Sequence, residues 1–277
     1  IGSVILLLFN LAMVMYPNFF GIDGSGNDAS IKAMKFSFIT VGAWWLIFSL
    51  IPFYYLPSKK PRNKISKDII TKGFKELKLV WIQIKLNIKL KQFLFAFFVY
   101  STALQTVMLV ATYFGEEEIQ WTNQSEKTIG LILSILLIQI VAILGAFLAA
   151  KSSSRYGNIK TLIVINLIWG VLCLVAFFIK TPIQFYFVAA FVGLVMGALQ
   201  PLSRSTFSKF IPETVDTTSY FSFYGVTEKI SIIIGMFLFG FIDQITGSMR
   251  NSILPFLFFF MLGAYLLLRI SKKFEIN

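Results

Sequence analysis

Glu228 and Lys229 stand side by side in an otherwise apolar run, GVTEKISIIIGMFLFGF. An ionisable side chain at bilayer depth costs about 2.5–3.5 kcal/mol on insertion scales, so such groups face a cavity or a partner. A carboxylate there can hold an ammonium group, or take up and release a proton or cation. Neighbours on a helix point about 100° apart, so the two charges do not share one direction. Arg204, in QPLSRSTFSK, offers five donors and stays charged. It fits a carboxylate ligand, the Glu228 side chain or the inner headgroups. Gln105, Gln139, Asn166 and Gln200 are lone amides in separate apolar runs; amides can bind a zwitterion without carrying charge. Tyr220 and Tyr224, one helical turn apart, could line a cavity entrance.

Structural roles compete for each of these residues. Glu228 and Lys229 could tie their helix to a neighbour through an ion pair. The amides could bond helix to helix, at about 0.6–2 kcal/mol each. The tyrosines could form an interfacial belt. Pro201 removes a helix donor and predicts a kink beside Gln200 and Arg204. Gly193 and Gly197 are spaced for close helix packing and point to no chemistry.

Other chemistries are missing from the chain. There is no histidine, which excludes a zinc protease or a histidine-based hydrolase within these residues. One cysteine, Cys173, gives no disulfide framework. Nothing matches a nucleotide-binding G-x-x-x-x-G-K-[ST] loop. A membrane-embedded enzyme would need acid, base or metal ligands at one depth, and a single mid-span carboxylate supplies none of these sets. No cofactor is expected.

The elements that must position the polar residues are apolar runs near 2–21, 37–56, 93–114, 128–150, 161–179, 185–205, 220–242 and 251–270. A hydrocarbon core of about 30 Å needs roughly 20 apolar residues of helix, so these predict about eight transmembrane helices. The composition is 57% hydrophobic, with 31 Phe, above the roughly 45–50% of soluble chains. Glu228 falls roughly 13 Å into its run at 1.5 Å per residue. The fold class is an all-α integral membrane protein. The runs do not alternate as barrel strands would.

The net charge of +12 follows the same plan. Segments 57–92, 151–160, 204–218 and 269–277 hold 11, 3, 2 and 3 of the 25 Lys and Arg, so 19 in all. The alternate segments 22–35, 115–127, 180–184 and 243–250 hold 2, 1, 1 and 1, and Lys229 lies within a run. Positive loops stay inside, which predicts a cytoplasmic 57–92 segment and C-terminus. A basic inner face meets anionic lipid, not nucleic acid. Within 57–92, PSKKPRNK predicts a turn. Ile70, Phe74, Leu77, Trp81, Ile84 and Ile88 then recur at helical spacing. The predicted amphipathic helix lies on the inner membrane face and continues directly into the run at 93.

Two spans before this linker and six after it match the two-half plan of a twelve-helix carrier. The loop GAFLAAKSSSRYGNIKTL and the block MGALQPLSRSTFSKFIPETVDTTSYFSFYGVTEK carry a family resemblance, as does LQTVMLVATYFG. The chain resembles the major facilitator superfamily, and is similar to a bacterial family related to autophagy-linked vacuolar amino-acid effluxers. The resemblance implies that residues 93–277 form the C-terminal six-helix half of that fold, and 1–56 the last two helices of the other half. It also implies that Arg155, Gly157 and Lys160 form a gating loop. Ser154 departs from that pattern, which has an acidic residue there. A second acidic residue, expected near Gly225, is absent.

The expected function is secondary transport of a small solute, with amino acids as the class the resemblance suggests, by alternating access across the cell membrane. Coupling would be to protons or cations, and the working form a monomer. A non-transporting receptor or scaffold is the alternative. Ile1 opens inside an apolar run with no initiator methionine. The expectation is a piece of a longer protein with about four further spans upstream.

Overall fold

A computed structural model of the protein describes residues 2–24, 27–55, 69–213 and 217–274. They are helical almost throughout, with no strand among the described residues. The helices are α1 (Gly2–Met15), α2 (Asn27–Tyr55), α3 (Ile69–Leu86), α4 (Ile88–Glu117), α5 (Gln124–Tyr156), α6 (Asn158–Phe178), α7 (Pro182–Phe210), α8 (Thr217–Thr246) and α9 (Met249–Phe274). Seven of them, α2 and α4–α9, are long and apolar enough to cross a membrane. The chain divides into two compact units, 1–67 and 68–277.

In the first unit α1 is shorter than the predicted span 2–21. Pro17 has no N–H and disfavours helix at the residue before it. Tyr16 leaves the helical region, and a 3-10 turn, Pro17–Phe20, follows. Met13, Ile22 and Ala33 make a small core. The Thr40 hydroxyl donates to Asn10 Oδ1 at 2.7 Å, joining α2 to α1. The predicted turn PSKKPRNK lies outside the described residues.

The second unit is a bundle of α4–α9 with α3 laid against it. The closest pair is α5 with α7. A Cβ at Gly145 would strike the Leu194 carbonyl, and one at Gly197 the Ala142 carbonyl. Only glycine lets these two backbones approach so closely. Between α6 and α9, Trp169 stacks on Phe260 with centroids 5.3 Å apart. At one end of the bundle Arg250 binds α4 and α6 at once. Its Nε donates to Glu118 Oε2 at 2.6 Å, and its terminal nitrogens donate to the carbonyls of Phe177, Ile179 and Glu118.

The linker helix differs from expectation in two respects. It does not run directly into α4: Asn87 breaks the helix and caps α4, accepting from the Leu90 N–H. The Asn87 amide also donates to the Phe210 carbonyl, 3.2 Å away. Residues 82–90 are therefore helical on both sides of one capping residue. The buried face is also rotated from the predicted stripe. Val80 and Ile84 are buried, whereas Phe74 is 70% exposed. Contacts with α8 set this phase. Trp81 stacks on Phe223, and the Tyr220 hydroxyl donates to Gln83 Oε1 at 2.9 Å.

Candidate functional site

Three helices of the second unit surround a cavity of ≈ 460 Å³. Helix α4 supplies Phe97, Leu104 and Gln105, α7 supplies Gln200, Arg204 and Ser208 among others, and α8 supplies Phe221, Tyr224 and Glu228. The spacings explain the convergence. Positions 200, 204 and 208 lie one turn apart on one face of α7, and 221, 224 and 228 do the same on α8.

Glu228 is half-buried, and the Gln105 amide donates to its Oε1 at 2.6 Å. The Gln200 amide lies 3.3 Å from the Met108 sulfur. Arg204 stands over the Tyr224 ring, 6.0 Å from its centroid. That ring is held by stacking on Phe97 at 4.1 Å and by Phe207 at 4.8 Å. Arg204 and Glu228 thus line one cavity, yet no ion pair joins them among the described residues. Beneath this floor the buried Tyr100 hydroxyl bonds Ser203 Oγ at 2.7 Å, and Ser203 donates to the Leu199 carbonyl. The arrangement presents one cation, one carboxylate, two amides and an aromatic wall to one cavity.

Five of the residues singled out in the sequence meet here: Glu228, Arg204, Gln105, Gln200 and Tyr224. Lys229, Gln139, Asn166 and Tyr220 do not. Lys229 is exposed on the α8 face that carries Val226 and Ile233, about 100° from Glu228. Gln139 is half-buried on α5 and outside the cavity. Asn166 is fully buried, but its amide donates to its own helix at the Leu162 carbonyl. Tyr220 serves α3 instead of a cavity mouth. Phe97, Ser208 and Phe221 were missed; their spacing from Gln105, Arg204 and Glu228 was the available signal.

The α5–α6 turn is made by Gly157 at φ 85°, which ends one helix and begins the next. Arg155 lies over the Tyr156 ring at 5.3 Å, exposed to solvent. Lys160 follows within the first turn of α6 and borders a second, lysine-lined pocket. None of these three residues lines the Glu228 cavity.

The sequence profile described as "Vacuole effluxer Atg22 like" matches residues 1–274. A Bacillus subtilis protein named as an uncharacterized MFS-type transporter, YxiO, is 27% identical over 99% of the chain and 61% of its own length. Autophagy-related protein 22 of Vanderwaltozyma polyspora is 30% identical over 87% of the chain and 50% of its own length. The chain therefore spans about half to three fifths of these relatives. Among solved structures, the Escherichia coli fucose:proton symporter FucP superposes with a TM-score of 0.58 at 16% identity, over 96% of this chain and 69% of that one. That likeness is one of fold.

Proposed function

The chain belongs to the vacuole effluxer Atg22-like family of the major facilitator superfamily, and on that premise we propose that it serves secondary transport of an amino acid by alternating access. The observation that carries this reading is that Arg204 and Glu228 line one cavity with no ion pair between them among the described residues. A zwitterion matches both poles: its carboxylate meets the Arg204 fork and its ammonium meets Glu228. The Gln105 and Gln200 amides complete the polar contacts, and Phe97, Phe221 and Tyr224 receive an apolar side chain. The names of the relatives, an effluxer and a transporter, agree with this use.

Glu228 is also the group through which a proton or cation gradient acts. Neutralised by a proton, it releases the ammonium; ionised, it holds it. In this reading 93–277 is the C-terminal half of a longer carrier, 1–56 the end of the other half, and 57–92 a cytoplasmic linker. The carrier sits in the cell membrane as a monomer with its C-terminus inside. Arg155, Gly157 and Lys160 form the inner loop that shapes its gating.

The test is flux of labelled amino acid through vesicles holding the full-length protein, with and without a pH gradient. Wild type should accumulate or expel label as the gradient dictates. Glu228→Gln should lose the gradient dependence and bind the amino acid more weakly. Equal gradient-driven flux in both proteins sinks the coupling role. Binding with no flux at all would instead identify a receptor.

A further inference from the structure

Helix α3 carries a second apolar face, which the bundle of the second unit does not cover. Val80 and Ile84 are buried in the core of that unit. At about 100° per residue, Ile82 points about 180° from the mean of that pair. Phe74 and Leu86 fall in the same outward half of the helix, as do Lys75, Lys78 and Lys85. Phe74 is 70% exposed, Ile82 48% and Leu86 81%. Of the stripe predicted from spacing, Trp81 and Ile84 are taken up by protein contacts. The outward face is centred on Ile82 instead.

Three observations say what covers this face. First, α3 is not among the helices long and apolar enough to cross a membrane, yet one residue, Asn87, separates it from α4, which is. It also packs beside the first turns of α8. Both α4 and α8 begin at this end of the bundle, so α3 lies where the spans meet the headgroups. Second, large apolar side chains mixed with lysines suit that boundary. The apolar groups enter the acyl region while the lysine stems extend to the phosphates. Third, the charge on this face has one sign. Lys75, Lys78 and Lys85 are exposed, and no ion pair holds them among the described residues. Glu76 lies about 120° from Ile82, off the face. A covering protein segment would have to pair or bury three ammonium groups. An anionic leaflet neutralises them where they stand.

We propose that the outward face of α3 docks on an anionic lipid leaflet, with Ile82 and Leu86 in the acyl boundary and Lys75, Lys78 and Lys85 at the phosphates. This docking does not depend on the transport reading. It does bear on the cavity. The Trp81–Phe223 stack and the Tyr220–Gln83 hydrogen bond join α3 to α8, and α8 carries Phe221, Tyr224 and Glu228.

The test uses spin labels at Ile82→Cys and, separately, Glu76→Cys in the full-length protein, with its other accessible cysteines replaced. Vesicles contain either phosphatidylcholine alone or phosphatidylcholine with phosphatidylglycerol. Collisions with oxygen report lipid, and collisions with a water-soluble nickel chelate report water. With phosphatidylglycerol, the Ile82 label should meet oxygen in preference to nickel, and the Glu76 label the reverse. In phosphatidylcholine alone the Ile82 label should become more open to nickel. Each of Lys75→Gln, Lys78→Gln and Lys85→Gln should lower the docked-to-free ratio about fivefold. The triple variant with phosphatidylglycerol should then resemble wild type in phosphatidylcholine. An Ile82 label as open to nickel as the Glu76 label overturns the proposal. So does an Ile82 label screened from both reagents, which would place a protein segment over the face. Equal oxygen preference in the two lipids, or in wild type and the triple variant, removes the anionic partner. Should the triple variant fail to fold, the comparison of the two lipids decides alone.

Discussion

At the scale of single residues, Glu228 is defined by its neighbour Gln105. A hydrogen bond to a charged group contributes about 1.5–3 kcal/mol. Gln105→Leu should therefore weaken substrate binding about tenfold or more. Binding measured by calorimetry checks this; unchanged affinity would mean that the bond at 2.6 Å only packs helices. The sequence located the depth of such groups but not their direction. Glu228 and Lys229 look alike in an apolar run, and only helix phase sends one into the cavity and the other outward. Gln105 and Gln139 pose the same problem, since both are single amides within apolar runs. The periodic sets 200, 204, 208 and 221, 224, 228 were legible by spacing, but nothing in the chain says which two faces oppose each other. Tertiary packing alone answers that.

At the scale of the helix, the number and kind of elements were legible because lipid imposes them. Their ends were not. Helix α5 runs Gln124–Tyr156 where hydropathy marks 128–150, because Asn123 caps it by accepting from the Glu126 N–H. Helix α7 starts at Pro182, capped reciprocally by Thr181 and Gln184. Caps extend helices past the apolar core, and hydropathy does not register them. The α5–α7 seam makes a prediction of its own. Gly197→Ala places a Cβ against the Ala142 carbonyl, whereas Gly240→Ala meets nothing within 4 Å. The first should destabilise by about 1–3 kcal/mol, and the second should stabilise slightly through helix propensity, by about 0.5–1 kcal/mol. Thermal unfolding of the two variants in one detergent should shift in opposite directions. Equal shifts would show that the seam is looser than its geometry.

At the scale of the whole molecule, the uneven placement of lysine and arginine predicts an orientation that can be tested chemically. Cys173 is buried, so an added thiol reports alone. Ser154→Cys should react with an impermeant maleimide only from the cytoplasmic side, and Thr122→Cys only from outside; both native residues are exposed, and they sit near opposite ends of α5. The reverse pattern would invert the topology. The separation of Arg204 from Glu228 reaches further. In the transport cycle proposed above, the empty form would occlude two charges of opposite sign that no ligand neutralises, and the laden form a matched set. Sequestering charge from water is the costly step, so the return journey without cargo should be the slow one. Preloading the far compartment with unlabelled amino acid should then quicken the exit of label, making counterflow faster than net efflux.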